Sequence, residues 1–220
     1  MYKQLIQELG SARLVAVSKT QPNEAIMDLY TQGQRLFGEN KVQEVVPKYE
    51  ALPKDIEWHL IGHLQSNKVK YIASFVAMIH SVDSLKLLEE INRQAVKNHR
   101  VIDCLLQFKI NDEETKFGLD IQEAFALLES LSYPNLLNIR LCGVMGMASF
   151  VEDEEQIRQE FKNLKNIFDQ LKARYFPNDP AFKEISMGMS DDYPIAVEEG
   201  STLVRIGTLL FGARNYGNLG

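Results

Sequence analysis

Eight apolar runs, each of strand length, recur along the chain with helix-period segments between them, and this alternation leaves few folds open. The runs occupy 14–18, 35–37, 58–61, 77–80, 101–108, 139–147, 184–187 and 203–206. Between them lie helical segments such as 84–98, 121–131 and 152–172. In the last of these Ile157, Phe161, Leu164, Ile167, Phe168 and Leu171 fall at three- and four-residue steps, one buried stripe on a long helix. Several strand runs are apolar at consecutive positions, as strands covered on both faces should be. The N-terminal stretch MYKQLIQELG adds a short helix with Leu5, Ile6 and Leu9 on one face, which leaves one side of the molecule less covered. With 220 residues and no Pro/Gly/Ser-rich linker, the pattern predicts an α/β fold, a single (β/α)8 TIM barrel spanning 1–220. An open doubly wound sheet is the other arrangement it admits.

Composition narrows the function classes. The chain is 45% hydrophobic and 25% charged, with a net charge of −6 and no basic cluster, which argues against a nucleic-acid or anionic-membrane partner. Its two cysteines, Cys104 and Cys142, sit in apolar runs at no metal-ligand spacing, so no disulfide is expected and a reducing cytoplasm is the expected location. The first residues lack a leader's apolar core, and no run approaches a membrane span.

In a barrel the chemistry gathers where strands end. The first strand, in RLVAVSKTQP, runs into Lys19, either a lysine snorkelling into water or an amine aimed at a pocket. The second ends FGEN, where Asn40 caps a helix or faces a ligand. The third, WHLIGHLQSNK, brings His59 and His63; their spacing straddles a strand end, so no metal site is expected. Met145, Met147, Met187 and Met189 suit packing, and Ser190 suits a helix cap. Arg205, between Val204 and Ile206, needs a buried partner.

The loops after the last two strands, SMGMS and GT, combine glycines and hydroxyls just ahead of helices, an arrangement that offers N–H groups to an anion. Phosphate sites in such barrels often lie there. A phosphate near Ser186, Gly207 and Thr208, with a lysine across the mouth, describes a phosphorylated carbonyl ligand, because an amine condenses with a carbonyl. Pyridoxal 5′-phosphate (PLP) fits both ends.

The stretches AVSKTQP, FGENKVQE, WHLIGHLQSNK, SVDS, KFG, CGVMGMAS and SMGMSDDYPIAVEEGSTLVRIGTLLFGARNY cover nearly the whole chain. Together they resemble the pyridoxal phosphate homeostasis proteins (the YggS/PROSC family), PLP-binding barrels with the fold of the alanine racemase barrel domain. The resemblance implies that Lys19 forms an internal aldimine and that Ser186, Gly207 and Thr208 hold the phosphate. It also implies that Arg205 faces the pyridine nitrogen, that Asn40 lies near the ring, and that His59 and Met145 contribute to the pocket wall.

An arginine at that nitrogen makes the ring a poor electron sink. Racemases of this likeness take a second base, a tyrosine, from a β domain, which is not expected in a chain ending a few residues after its eighth strand. The expected function is therefore storage or delivery of PLP in vitamin B6 homeostasis, with no catalytic residue and with PLP-dependent apo-enzymes as possible recipients. A single-domain PLP amino-acid racemase is the alternative, and a sugar-phosphate barrel a remoter one.

Overall fold

The computed structural model describes residues 1–111 and 117–212. Eight parallel strands close into a barrel in chain order: β1 Arg13–Val17, β2 Leu36–Glu39, β3 Glu57–Leu60, β4 Met78–Val82, β5 Ile102–Gln107, β6 Ile139–Met145, β7 Glu184–Ser186 and β8 Leu203–Ile206. The open sheet is thereby excluded, since β1 pairs β8 with Val15 opposite Arg205. The helices described are α1 Tyr2–Glu8, α2 Asn23–Thr31, α3 Val42–Ala51, α4 Leu85–Lys97, α5 Ile121–Leu128, α6 Glu154–Tyr175, α7 Tyr193–Glu198 and α8 Thr208–Phe211. A 3₁₀ helix, Ser66–Tyr71, stands between β3 and β4. Of the sequence motifs, the lysine of KFG and the ARNY stretch lie outside the described residues.

Helix starts follow side-chain chemistry. Ser84 Oγ accepts the Leu87 N–H, Asp153 caps α6, and Asp120 with Glu123 forms a reciprocal capping box on α5. Strands alternate between two cores. One face of each strand packs under the helices, where Phe37, Trp58, Ile79 and Phe161 are buried. The other face fills the barrel, with Val15, Met78, Leu105, Cys142 and Met145 in contact. On α6, Ile157, Phe161, Leu164, Ile167 and Leu171 are buried and Phe168 is only partly so.

Two expectations about α1 are corrected. Ile6 is exposed, because successive helical residues diverge by about 100° and only the i, i+4 pair Leu5 and Leu9 shares the inward face. That pair packs on Leu14, Val204 and Ile206, so α1 covers the β1–β8 seam.

Candidate functional site

Past β1, Ser18 to Gln21 form a tight turn in which the Gln21 N–H donates to the Ser18 carbonyl at 3.0 Å. Thr20, at its third position, has a φ of 64°, a left-handed conformation that the turn demands and a β-branched residue resists. The Thr20 N–H donates to Glu44 Oε2 on α3 at 2.7 Å. Under the turn, Ser18 Oγ donates to the buried Glu39 at 2.7 Å. Lys48 Nζ donates to Glu39 Oε1 at 2.6 Å and to the Ser18 carbonyl at 2.7 Å. Burial pushes the Glu39 carboxyl above its usual range, against the pull of Lys48. The backbone carrying Lys19 is therefore held on both sides.

Beside it, β8 delivers Arg205, Gly207 and Thr208. Arg205 is 4% exposed. Its Nη1 donates to Ser186 Oγ at 2.6 Å and its Nη2 to the Gly146 carbonyl at 3.0 Å, the partners its burial requires. Burial draws its pKa down to about 10, so it stays charged at neutral pH. A Cβ on Gly207 would stand 3.1 Å from the Val17 carbonyl, so this close approach of β8 to β1 suits glycine. No side chain caps α8, so the N–H groups at its start, around Thr208, have no side-chain acceptor. In the preceding loop Gly188 has a φ of 94°, and a Cβ there would lie 2.6 Å from the Ala196 methyl. Asp192 Oδ1 accepts the Met189 N–H at 2.5 Å, which fixes the SMGMS loop.

These parts surround a cavity of about 190 Å³ at the carboxyl-terminal mouth of the barrel. Of the residues expected from sequence, Lys19, Asn40, Arg205, Gly207 and Thr208 line it. Asn40 is not a cap, since Lys41 occupies that position on α3. Lys19 and the β8 loop are neighbours, where the sequence reading set them across the mouth from each other.

Ser186, His59 and Met145 are not among the cavity's lining residues. Ser186 is fully buried below Arg205, and Ser190 is the loop hydroxyl at the cavity. Ser190 is not a helix cap either; Asp192 precedes α7. Met145 is packed inside the barrel, whereas Met147 and Met189 form the wall. The reason is depth in the barrel: inward-facing residues such as Met145 and His59 are packed in its core, while the mouth is reached by residues past a strand's end and by Val17 and the long Arg205 near theirs. His63 is exposed and stacks on Phe117 at 4.0 Å. Among the described residues no group of three His, Cys, Asp or Glu could hold a metal.

His80 escaped the sequence reading, although a histidine inside the apolar run MIHSV is a signal of the same kind as Arg205. Its Nδ1 lies 2.9 Å from Ser186 Oγ and its Nε2 lies 2.9 Å from His59 Nδ1. A buried polar chain, Arg205–Ser186–His80–His59, thus runs through the barrel. Burial, aided by the charge of Arg13, lowers His59 to about 3. Burial also holds His80 well below its ordinary value, with His59 and Arg205 adding to the effect. Both rings are neutral at pH 7.

The alanine racemase N-terminal domain family matches residues 2–215. The pyridoxal phosphate homeostasis protein of Aquifex aeolicus (strain VF5) is 44% identical over 207 residues, covering 93% of this chain and 88% of its own length. PipY of Synechococcus elongatus PCC7942, in its structure with PLP bound, superposes with a TM-score of 0.87 at 38% identity, covering 96% of this chain and 98% of its own. Alanine racemase from Bartonella henselae, 18% identical with a TM-score of 0.67 over 99% of this chain and 59% of its own, shares the fold.

Proposed function

Because the chain belongs to the pyridoxal phosphate homeostasis proteins, built on the barrel of the alanine racemase N-terminal domain, we propose that it binds PLP at the carboxyl-terminal mouth and stores or delivers it without being a dedicated catalyst. The observation that carries this reading is the grouping of Lys19, Arg205 and the Gly207–Thr208 turn around one cavity. That set fits a phosphorylated aldehyde: an amine on a braced turn, first-turn N–H groups beside a hydroxyl, and a buried guanidinium. PLP supplies an aldehyde for an amine and a ring able to withdraw electrons.

Lys19 is the covalent anchor. Thr208, Gly207 and Ser190 receive the phosphate, with N–H and hydroxyl donors suited to an anion. Arg205 donates to the pyridine nitrogen and, being charged itself, keeps a proton off that atom, so the ring withdraws electrons weakly. Asn40, just past β2 and lining the cavity, would lie near the ring. His59 and Met145 act through the barrel core below the cavity, and Ser186 acts by holding Arg205. PLP-dependent apo-enzymes are the recipients, and the cytoplasm is the place of action. Among the described residues no helix is long and apolar enough to cross a membrane.

The test is spectroscopic. Protein incubated with PLP should turn yellow, and borohydride should bleach the colour and leave the cofactor on the Lys19 peptide. The loaded protein should also restore activity to a PLP-dependent apo-enzyme. An adduct mapped to another lysine, or no transfer, would refute the respective part.

A further inference from the structure

A larger cavity, about 450 Å³, opens at the opposite, amino-terminal mouth of the barrel. His59 lines it while being only 3% exposed. Its Nδ1 is taken by His80, and among the described residues no protein atom bonds its Nε2. The polar chain assigns the proton on that nitrogen. Arg205 can only donate, so Ser186 Oγ accepts from it and has its own proton to give. Giving it to His80 Nδ1 makes His80 Nε2 the N–H, which donates to His59 Nδ1. The remaining proton of neutral His59 then sits on Nε2 and faces the cavity. The opposite tautomers would leave the Ser186 hydroxyl proton without an acceptor among its two bonded neighbours.

The charges around this mouth are mostly matched. Arg13 Nη2 pairs with Glu184 at 2.7 Å, and Arg140 binds Asp103 through two bonds of 2.7 and 2.9 Å. Lys183 and Glu57 are the lining charges whose side chains have no partner among the described residues. They stand on opposite walls, just before β7 and at the start of β3. The cavity also reaches Cys142, whose thiol burial pushes up to about 12, so it is no nucleophile there.

We propose that this cavity is a second binding site, for a small monocarboxylate that accepts the His59 Nε2–H and pairs with Lys183. A buried N–H donor and an unmatched ammonium lining the same cavity from different walls suit the two oxygens of one carboxylate. A phosphate dianion would bring its extra charge against Glu57, Asp103 and Glu184. The site is independent of the PLP reading and lies at the other end of the polar chain.

The test uses the full chain without PLP, isotope-labelled at histidine nitrogen, titrated with sodium acetate at constant ionic strength. The expected result is a protonated His59 Nε2 in the free protein and a saturable shift of its signal with acetate. Inorganic phosphate at the same concentrations should give no saturable shift. Lys183→Glu should leave the rest of the spectrum in place and weaken acetate binding about tenfold or more, the loss of one charge-assisted bond. An unprotonated Nε2, no saturation with acetate, tighter binding of phosphate, or unchanged acetate affinity in Lys183→Glu would each overturn the proposal. PLP binding is measured separately on the unlabelled protein, so its failure would count against the proposed function and leave this site standing.

Discussion

Lys19 owes its position to its neighbour. Thr20 adopts a backbone conformation that costs a non-glycine residue roughly 1–2 kcal/mol, and Glu44 holds it there. Nothing in the letters KTQP announces this, because strain depends on contacts with α3. The hydroxyls follow the same logic. Serines on either side of MGM look alike in SMGMS, yet Ser186 closes β7 and Ser190 reaches the cavity. Their alanine variants should therefore differ. Thr208→Ala and Ser190→Ala should each lose a charge-assisted bond of roughly 1.5–3 kcal/mol, weakening PLP by about one to two decades and pyridoxal much less. Ser186→Ala instead strands Arg205 Nη1 and His80 Nδ1 in the interior, at about 1–3 kcal/mol for each unsatisfied group. Its main effect should be a lower urea midpoint. Equal PLP and pyridoxal losses in Thr208→Ala would place the phosphate elsewhere.

At the scale of elements, the strands were legible because runs covered on both faces are apolar throughout; β8 was expected at 203–206 and is found there. Their ends were less so. The apolar run that suggested a strand over 139–147 stops pairing at Met145, since the residues beyond it turn into the mouth. Helix stripes were readable where they were long, as on α6, and misread on α1, where about two turns leave the face poorly defined. The cavity's lining was legible at residues just past a strand end, Lys19, Asn40, Gly207 and Thr208, and at Arg205, whose charge stands out in an apolar strand. The depth of Ser186, His59 and Met145 was not, because a strand residue's depth depends on the register with its neighbours. One inter-element contact carries a clear expectation. The Glu39–Lys48 pair joins β2 to α3 with both side chains largely buried. Lys48→Met should destabilise by about 3–5 kcal/mol, the cost of leaving one buried charge uncompensated. Glu39 already binds its proton more tightly folded than unfolded. The folded form is thus favoured below the carboxyl's ordinary value, and that contribution fades as pH rises through the raised one. Urea melts should show a smaller deficit for the variant at pH 5 than at pH 7.5; a deficit independent of pH would mean that Glu39 is not the group left exposed.

For the molecule as a whole, acid is the informative perturbation. His59 and His80 are neutral when folded and titrate near their ordinary value when unfolded, so the unfolded chain binds more protons below about pH 6.5. Their contribution to stability is full above that pH and falls by about 1.4 kcal/mol per histidine per unit as pH drops toward 3. Ring signals of both should stay unshifted through pH 6.5 in the native protein; a midpoint there for either would break the buried chain. Catalysis offers the other whole-molecule test. Saturated with PLP, the protein should turn over alanine or serine negligibly, and Arg205→Glu should raise any trace reaction if PLP stays bound. A wild-type rate near the enzyme median of about 10 s⁻¹ would make it a racemase. The closure of β1 on β8 also has a kinetic side. Lys19 follows the first strand, while Gly207 and Thr208 follow the last, so the two attachment points proposed for the cofactor meet only when the chain completes its most non-local pairing. A ribosome-bound chain lacking β8 would therefore have no PLP site, and capture of the yellow cofactor would time the final step of folding.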